Sequence, residues 1–268
     1  MSKPFEAIFF GTNGSCSFNN GDRQKYGSNT SCTVIKAGDE TLIFDAGSGI
    51  CGLHDLSECS KDRMHLFLSH YHMDHINGLL FFSDIFDPEK KIDIYGSGDV
   101  QGIIGEIISP PLSPVGLDSF RAELSYHTIG HGAQIQLSGG VTVRAHSLSH
   151  PGNALGYRVE YDGKVFCCCS DVELKNHQND ASLQAFMYGA DILVLDSAFA
   201  DGKVIPGWGH SCPAECAEWA LNASAKKLML YHYAFAMTDN DVEAMEQAAR
   251  KVFPNTLASA DGMRVVIE

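Results

Sequence analysis

Residues 69–80 read SHYHMDHINGLL, so His70, His72, Asp74 and His75 fall within six positions. Histidines at this density make poor packing residues, because each buried imidazole needs hydrogen-bond partners that its neighbours also require. Imidazole nitrogens with a carboxylate are instead a donor set for divalent cations. The apolar run MHLFLSH reads as a strand that delivers His70 at its end. Alternate residues of an extended segment face one side, so His70 and His72 can share one ion. Asp74 and His75, where the chain bends into a helix, can face a second. A solvated, histidine-rich turn is the plain alternative.

Three more candidates follow apolar, strand-like runs: His150 in LSHPGNALGYRVE, Asp171 in CCCSDVE and His232 in LMLYHY. Loops at strand ends are where a rigid sheet can hold ligands in place. Each residue alone could be an ordinary core or turn residue. Their shared setting makes them a group.

Those side chains need a scaffold, and the pattern supplies one. FEAIFFG, SCTVIKAG, TLIFDAGSG, MHLFLSH and KIDIYGSG read as early strands. VTVRAHSLSH, ALGYRVEYDG, KVFCCCSD, ADILVLDSAF and KKLMLYH read as later ones. Residues 37–40 and Asp162-Gly163 carry hairpin signals. Helices are expected over 74–84, 98–107, 116–123, 181–188, 213–223 and 239–253. In the last, Val242, Met245, Ala249 and Val252 form a core-facing stripe, with Thr238 to Asp241 as cap. Two similar halves, each of strands backed by helices, predict an α/β fold: an αββα sandwich of two mixed β-sheets flanked by helices, with residues 1–268 as a single domain.

Composition narrows the function classes. The net charge of −14 opposes tight nonspecific binding to a long polyanion, which uses a basic face. A small phosphorylated ligand remains compatible, since bound cations offset some of that charge locally. No run approaches 18 uncharged apolar residues and no signal peptide is evident, so a cytoplasmic protein without membrane contact is expected. Nine cysteines include Cys167, Cys168 and Cys169 in succession; strand neighbours point to opposite faces, which argues against a disulfide framework. None has the CxxC spacing of a cysteine-based zinc site.

Taken in order, these motifs resemble the metallo-β-lactamase superfamily of metal-dependent hydrolases over essentially the whole chain. The likeness is nearest to the phosphodiesterase branch that includes tRNase Z and the cyclic-nucleotide phosphodiesterases of bacteria and phages. FDAGSG matches the first family motif at Asp45, SHYHMDH the second, SHPGNALGY the third, CSD the fourth and LYHY the fifth. The resemblance implies that His70, His72 and His150 bind one metal ion, that Asp74, His75 and His232 bind the other, and that Asp171 bridges them. It also implies that Asp45 supports the ligand loops by hydrogen bonds; a turn residue before Gly47 and Gly49 is the alternative. Two divalent ions per chain are thus expected, zinc by default, with manganese or iron also suited to the carboxylates.

The branch is indicated by His150-Pro151-Gly152 followed by Gly156-Tyr157-Arg158, where lactamases usually carry a T-P-G-H-T-like stretch. GWGHSCPAECAEWA resembles the branch's G-H-S-T motif, with Cys212 in place of threonine, and implies that His210 serves beside the metals. Pro213 suits a first helical turn and Glu215 an N3 acid, while Cys212 is a poor cap that Ser211 could replace. GTNGSCSFNNGDRQKYGSNTSC resembles the branch's opening loop, with Ser28 for a glycine; its small residues permit close backbone approach, or form a plain turn. Residues 108–120, with three prolines in seven positions, read as a stiff loop over the site, at a subunit contact, or on plain surface. His54, His65, His127, His131, His146 and His177 receive no role.

Between Tyr157 and Leu193 there is room for a hairpin, a loop and a short helix, but not for the long basic arm that resemblance to tRNase Z would bring. The expectation is therefore a dinuclear phosphodiesterase with Asp74 and His210 in the chemistry, acting on a small phosphodiester, foremost a 3′,5′-cyclic nucleotide hydrolysed to the 5′-nucleotide. A tRNase Z-like RNA 3′-processing endonuclease is the runner-up. A noncatalytic metal or redox sensor using Cys167–Cys169 is the rival of another class. By resemblance alone, a homodimer is expected.

Overall fold

The computed structural model describes residues 4–19, 21–55, 59, 61–178 and 180–268; the extreme amino terminus and the side chain of His54 lie outside that description. Strands β1 (Phe5–Gly11), β2 (Cys32–Ala37), β3 (Glu40–Phe44), β4 (Arg63–Phe67), β5 (Lys91–Gly96) and β6 (Glu123–Thr128) build most of one sheet. β7 (Gln134–Gln136), β8 (Thr142–Ser147), β9 (Leu155–Tyr161), β10 (Lys164–Cys169), β11 (Ile192–Asp196), β12 (Leu228–Tyr231) and β13 (Thr256–Ala258) build the other, and β14 (Arg264–Val266) returns to the edge of the first. Among the described residues the orders are β14-β1-β2-β3-β4-β5-β6 and β13-β12-β11-β10-β9-β8-β7. Each sheet is antiparallel where hairpins join its strands and parallel where helical crossovers do. Both sheets are mixed and flanked by helices, as the sequence pattern predicts.

Three apolar layers follow from strand alternation. Phe9, Phe44, Phe67 and Tyr95 of the first sheet meet Tyr157, Phe166, Met229 and Tyr231 of the second between the sheets. Their neighbours Ile8, Ile43, Leu66 and Ile94 face outward, under α2 (Val100–Ile107) and several 3₁₀ turns. On the far side, α3 (Ala181–Met187), α4 (Pro213–Asn222) and α5 (Asp239–Arg250) cover the second sheet. Cys167 and Cys169 face those helices, whereas Cys168 enters the inter-sheet layer. None of the nine cysteines is in a disulfide, and no described helix is long and apolar enough to cross a membrane.

Two expected helices are cut short. The stretch 74–84 yields only α1 (Met73–Ile76), followed by 3₁₀ turns at Leu79–Phe81 and Ser83–Phe86. Its backbone is pinned elsewhere: the N–H of Gly78 donates to Ala46 O at 2.9 Å, and the N–H of Ala46 donates to His75 O at 2.7 Å. A side chain at Gly78 would strike the Gly47 carbonyl, so tertiary contact overrides the helical periodicity. Residues 116–123 give one 3₁₀ turn, Leu117–Ser119, because the chain from Glu123 pairs with β5 instead. Residues 108–120 pack back on the outer layer through Ile108, Leu117 and Phe120.

Phe67 anchors the inter-sheet layer, with its ring stacked 4.4 Å from Tyr95 and 5.4 Å from Phe44. Phe67→Ala is expected to cost about 3–5 kcal/mol, read as a lowered urea midpoint of the metal-free protein. An unchanged midpoint would mean that this layer does not carry the sandwich.

Candidate metal centre

The loops that leave β3, β4, β10, β11 and β12 meet at one end of the sandwich, and those around residues 12–15 and 148–152 join them. Asp45, just past β3, is the junction. Its Oδ1 accepts the Ser69 N–H at 2.7 Å, and its Oδ2 accepts the Ser69 hydroxyl at 2.9 Å and His75 Nδ1 at 2.8 Å. With its only proton given to Asp45, Ser69 Oγ accepts from His70 Nδ1 at 3.0 Å. Both imidazoles are thereby fixed as tautomers that turn Nε2 inward. His70 Nε2 is buried without a hydrogen-bond partner among the described residues.

A first group forms from His70, His72 and His150, whose nearest ring nitrogens lie within 4.8 Å of one another. His150 Nδ1 donates to Gly209 O at 2.9 Å, which leaves its Nε2 facing His72 Nδ1 at 3.2 Å. Asp74, His75 and His232 form a second group. There His232 Nε2 lies 3.2 Å from both Asp74 Oδ2 and His75 Nε2. Asp171 stands between the groups, 3.2 Å from His75, 3.3 Å from His232 and 3.7 Å from His150. The structure thus brings together all seven residues singled out as metal ligands from the sequence.

Close approach explains the local glycines. A Cβ on Gly14 would enter the His232 ring, and one on Gly209 would meet His150. The opening loop contributes directly: the Ser15 N–H donates to Asp74 Oδ2 at 2.7 Å. Asp45 and His232 both sit at positive φ, 64° and 61°, a conformation that costs free energy and persists where surrounding contacts impose it.

The charge states divide along the same lines. Burial lowers the proton affinity of His70, His72 and His150, so their nitrogens offer lone pairs. Burial would do the same to His75 and His232, but Asp171, with Asp45 for the first and Asp74 for the second, outweighs it and raises both. Against the opposing effect of burial, His232 and His75 hold Asp74 and Asp171 well below the usual carboxylate range. A buried nest of imidazoles and carboxylates with an inward, unpaired His70 nitrogen fits divalent cations.

His210 lies at the rim. Its Nδ1 bonds Asp196 Oδ2 at 2.6 Å, and its ring is 5.0 Å from His150 and stacked 5.1 Å from His232. Asp171, Asp196, His210 and His232 also lie close enough together to form a further potential donor group. Cys212 does take the N-cap position of α4, its N–H donating to Glu215 Oε2 at 3.3 Å. Ser211 is busy elsewhere: its hydroxyl donates to Val172 O and accepts the Leu174 N–H. His146 stays outside the site, bonded to Ser147 O and Ser182 Oγ.

Sequence reasoning missed Asp196, Ser69 and Ser15. Asp196 had a signal, since it ends the apolar run ILVLD much as Asp45 and Asp171 follow theirs. The other two act through a hydroxyl on a shared carboxylate and a backbone amide, which side-chain spacing does not reveal.

This two-sheet scaffold with a histidine–aspartate centre at one end defines a class of metal-dependent hydrolases. The sequence model of the "Beta-lactamase superfamily domain" matches residues 41–233, and the chain belongs to that family. It is a metal-dependent hydrolase similar to ribonuclease Z. The "Ribonuclease Z" of Streptococcus agalactiae is 25% identical over 286 residues, covering 85% of this chain and 91% of that protein. That of Gemmatimonas aurantiaca is 44% identical over 78 residues, covering 28% of this chain and only 24% of the relative's length. Among solved structures, the metallo-β-lactamase fold protein YhfI from Bacillus subtilis superposes with a TM-score of 0.75 at 19% identity, covering 99% of this chain and 100% of the other.

Burial alone would lower the His210 proton affinity, but Asp196 and then Asp171 overcome it and raise the pKa to about 9. An unfolded histidine titrates near ~6.5, so this pair contributes stability in full below that value and loses it as pH rises through about 9. In metal-free protein, Asp196→Asn is expected to drop the His210 midpoint, followed by NMR of its ring protons, below that of an unperturbed histidine. A midpoint that stays put would separate Asp196 from the charge on His210.

Proposed function

We propose that this chain is a dinuclear phosphodiesterase of small substrates, foremost 3′,5′-cyclic nucleotides, releasing the 5′-nucleotide. The observation that carries the reading is an aromatic edge beside the metal centre. Trp208 is 60% exposed, its ring 6.4 Å from Phe199, which in turn stands 5.9 Å from His210. An exposed indole next to a cationic imidazole suits a flat base joined to a phosphate. The net charge of −14 favours a small phosphate ester over a long polyanion.

In this reading His70, His72 and His150 would hold one ion and Asp74, His75 and His232 the other, with Asp171 placed between the two groups. Zinc suits the imidazole-rich set, and manganese or iron suits its carboxylates. When bound, the ions supply Lewis-acid polarisation of the phosphoryl oxygen and a nucleophilic water near neutral pH. Asp74, its Oδ2 held by the Ser15 amide, orients the attacking water through its carboxylate. His210, with Nδ1 committed to Asp196, donates from Nε2 to the departing 3′ oxygen as the P–O3′ bond breaks. The products are a 3′ hydroxyl and a 5′ phosphate. A homodimer belongs to the same proposal, supported by Phe81 and Leu112, which are 67% and 77% exposed.

A second reading, RNA 3′ processing, is favoured by ribonuclease Z relatives that align over most of the chain. A substrate panel separates the two. Metal-loaded protein is expected to turn over cyclic nucleotides and an aryl phosphodiester but not precursor tRNA; cleavage of the tRNA alone would reverse the assignment.

Asp74→Ala is expected to abolish turnover. His210→Ala should lower kcat by ~100- to 10,000-fold with a much smaller change in KM, and near-parental turnover would exclude it as the acid.

The proton affinities of His75 and His232 are raised, so cations entering the second group compete with protons and affinity should rise with pH. Calorimetry in buffers of different ionisation enthalpy should show more protons released by the second equivalent than the first. Equal release would mean that the two groups do not differ in charge state.

A further inference from the structure

The segments that follow β10 and β11 are joined beside the metal centre by a buried carboxylate that none of the chemistry above uses. Glu173, two residues beyond Asp171, is 3% exposed. Its Oε2 accepts the Gly207 N–H at 2.9 Å and the Gly209 N–H at 3.2 Å. Ser211 continues the seam: its hydroxyl donates to Val172 O at 2.6 Å and accepts the Leu174 N–H at 2.9 Å. Gly207 and Gly209 have φ of 83° and 80°, so this turn of alternating left-handed residues points two amides at one oxygen. Converging backbone N–H groups of this sort make a concavity for an anion, and here the anion is the protein's own side chain.

What the carboxylate holds matters more than the bonds themselves. The two amides bracket Trp208, and His210 follows directly. The Gly209 carbonyl accepts from His150 Nδ1 and so sets which nitrogen of that histidine faces inward. One side chain therefore fixes the base-stacking indole, the proton donor and a metal-facing imidazole. Without it, the two amides would lose their acceptor, that of Gly209 beside a buried wall. The loop would relax by tilting Trp208 and His210 together.

We propose that Glu173 is the positioning residue of this site, a carboxylate locked in an amide nest that sets the Trp208–His210 loop against the metal centre. The proposal rests on Trp208 and His210 serving turnover as described above, but not on which phosphodiester is the substrate.

The test uses the full chain carrying Trp219→Phe, which removes the buried second tryptophan and leaves Trp208 as the reporter. In metal-free protein, Glu173→Ala is expected to increase acrylamide quenching of Trp208 and lower its fluorescence anisotropy. Metal-loaded, the same variant should lose about 10- to 100-fold in kcat on an aryl phosphodiester, the scale of a displaced proton donor. Its KM for a cyclic nucleotide should rise as well, whereas a merely structural defect would reduce the fraction of active enzyme at constant KM. Glu173→Gln keeps an acceptor oxygen in place and should restore quenching and turnover to within about threefold of the parent. If Glu173→Ala does not fold, Glu173→Asp carries the test, with changes of the same direction and smaller size.

Parental quenching and kcat in Glu173→Ala or Glu173→Asp would overturn the proposal. So would a loss in Glu173→Gln as large as that in Glu173→Ala. A parent inactive on every phosphodiester, with quenching still governed by Glu173, would instead count against the proposed function and leave the loop assignment standing.

Discussion

The Asp45 carboxylate is the constraint on which the metal centre depends. It accepts from the Ser69 amide, the Ser69 hydroxyl and His75 Nδ1, and through Ser69 it also sets His70. One buried acid thus chooses the tautomer of a histidine in each donor group. Imidazole is ambidentate, and a ring free to flip would present a proton instead of a lone pair half the time. Asp45 itself is held at a positive φ of 64°, directly after the stacked core strand β3. The rigidity of β3 thus reaches Ser69, His70 and His75 through that residue.

Around this constraint the protein tolerates an arrangement that is unfavourable by itself. Five imidazoles and two carboxylates are packed within a few bonds of each other, most of them removed from water. Burial lowers the proton affinity of the first group's histidines, and the carboxylates raise that of the second's. Such a cluster needs positive charge from protons or from cations, and the geometry suits cations better because His70 Nε2 has no other partner. Glycines at 14, 47 and 209 supply the close backbone approach that lets the loops converge this tightly.

Beyond the centre, the wall that carries Trp208 and His210 comes from the long connection between β11 and α4. Family membership fixes the scaffold and the hydrolytic class, while this connection, a loop on a rigid frame, is where the proposed function places substrate choice. Asp196 grips its histidine and Ser211 stitches its end to the strand carrying Asp171. The loop is therefore as well anchored as the metal-facing residues, although it has no regular structure of its own.

Much of this was legible in one dimension. Strand-length apolar runs put His70, Asp171 and His232 just beyond strand ends, where the structure has them, because a strand's exit point is a local property of its sequence. The density of SHYHMDH singled out His70 and His72 of one group and Asp74 and His75 of the other. Helix limits were less legible: 74–84 breaks after Ile76 because Gly78 is trapped against Gly47, thirty-one residues away in sequence. Sequence alone determined which residue types and which strand ends were available for chemistry. Only the tertiary structure decided that Asp196 would charge His210, that Ser15 would reach Asp74 through its backbone, and that Asp45 would orient two histidines at once. Those are contacts between segments whose separation along the chain carries no periodic signal, and they form only when the two sheets close on each other.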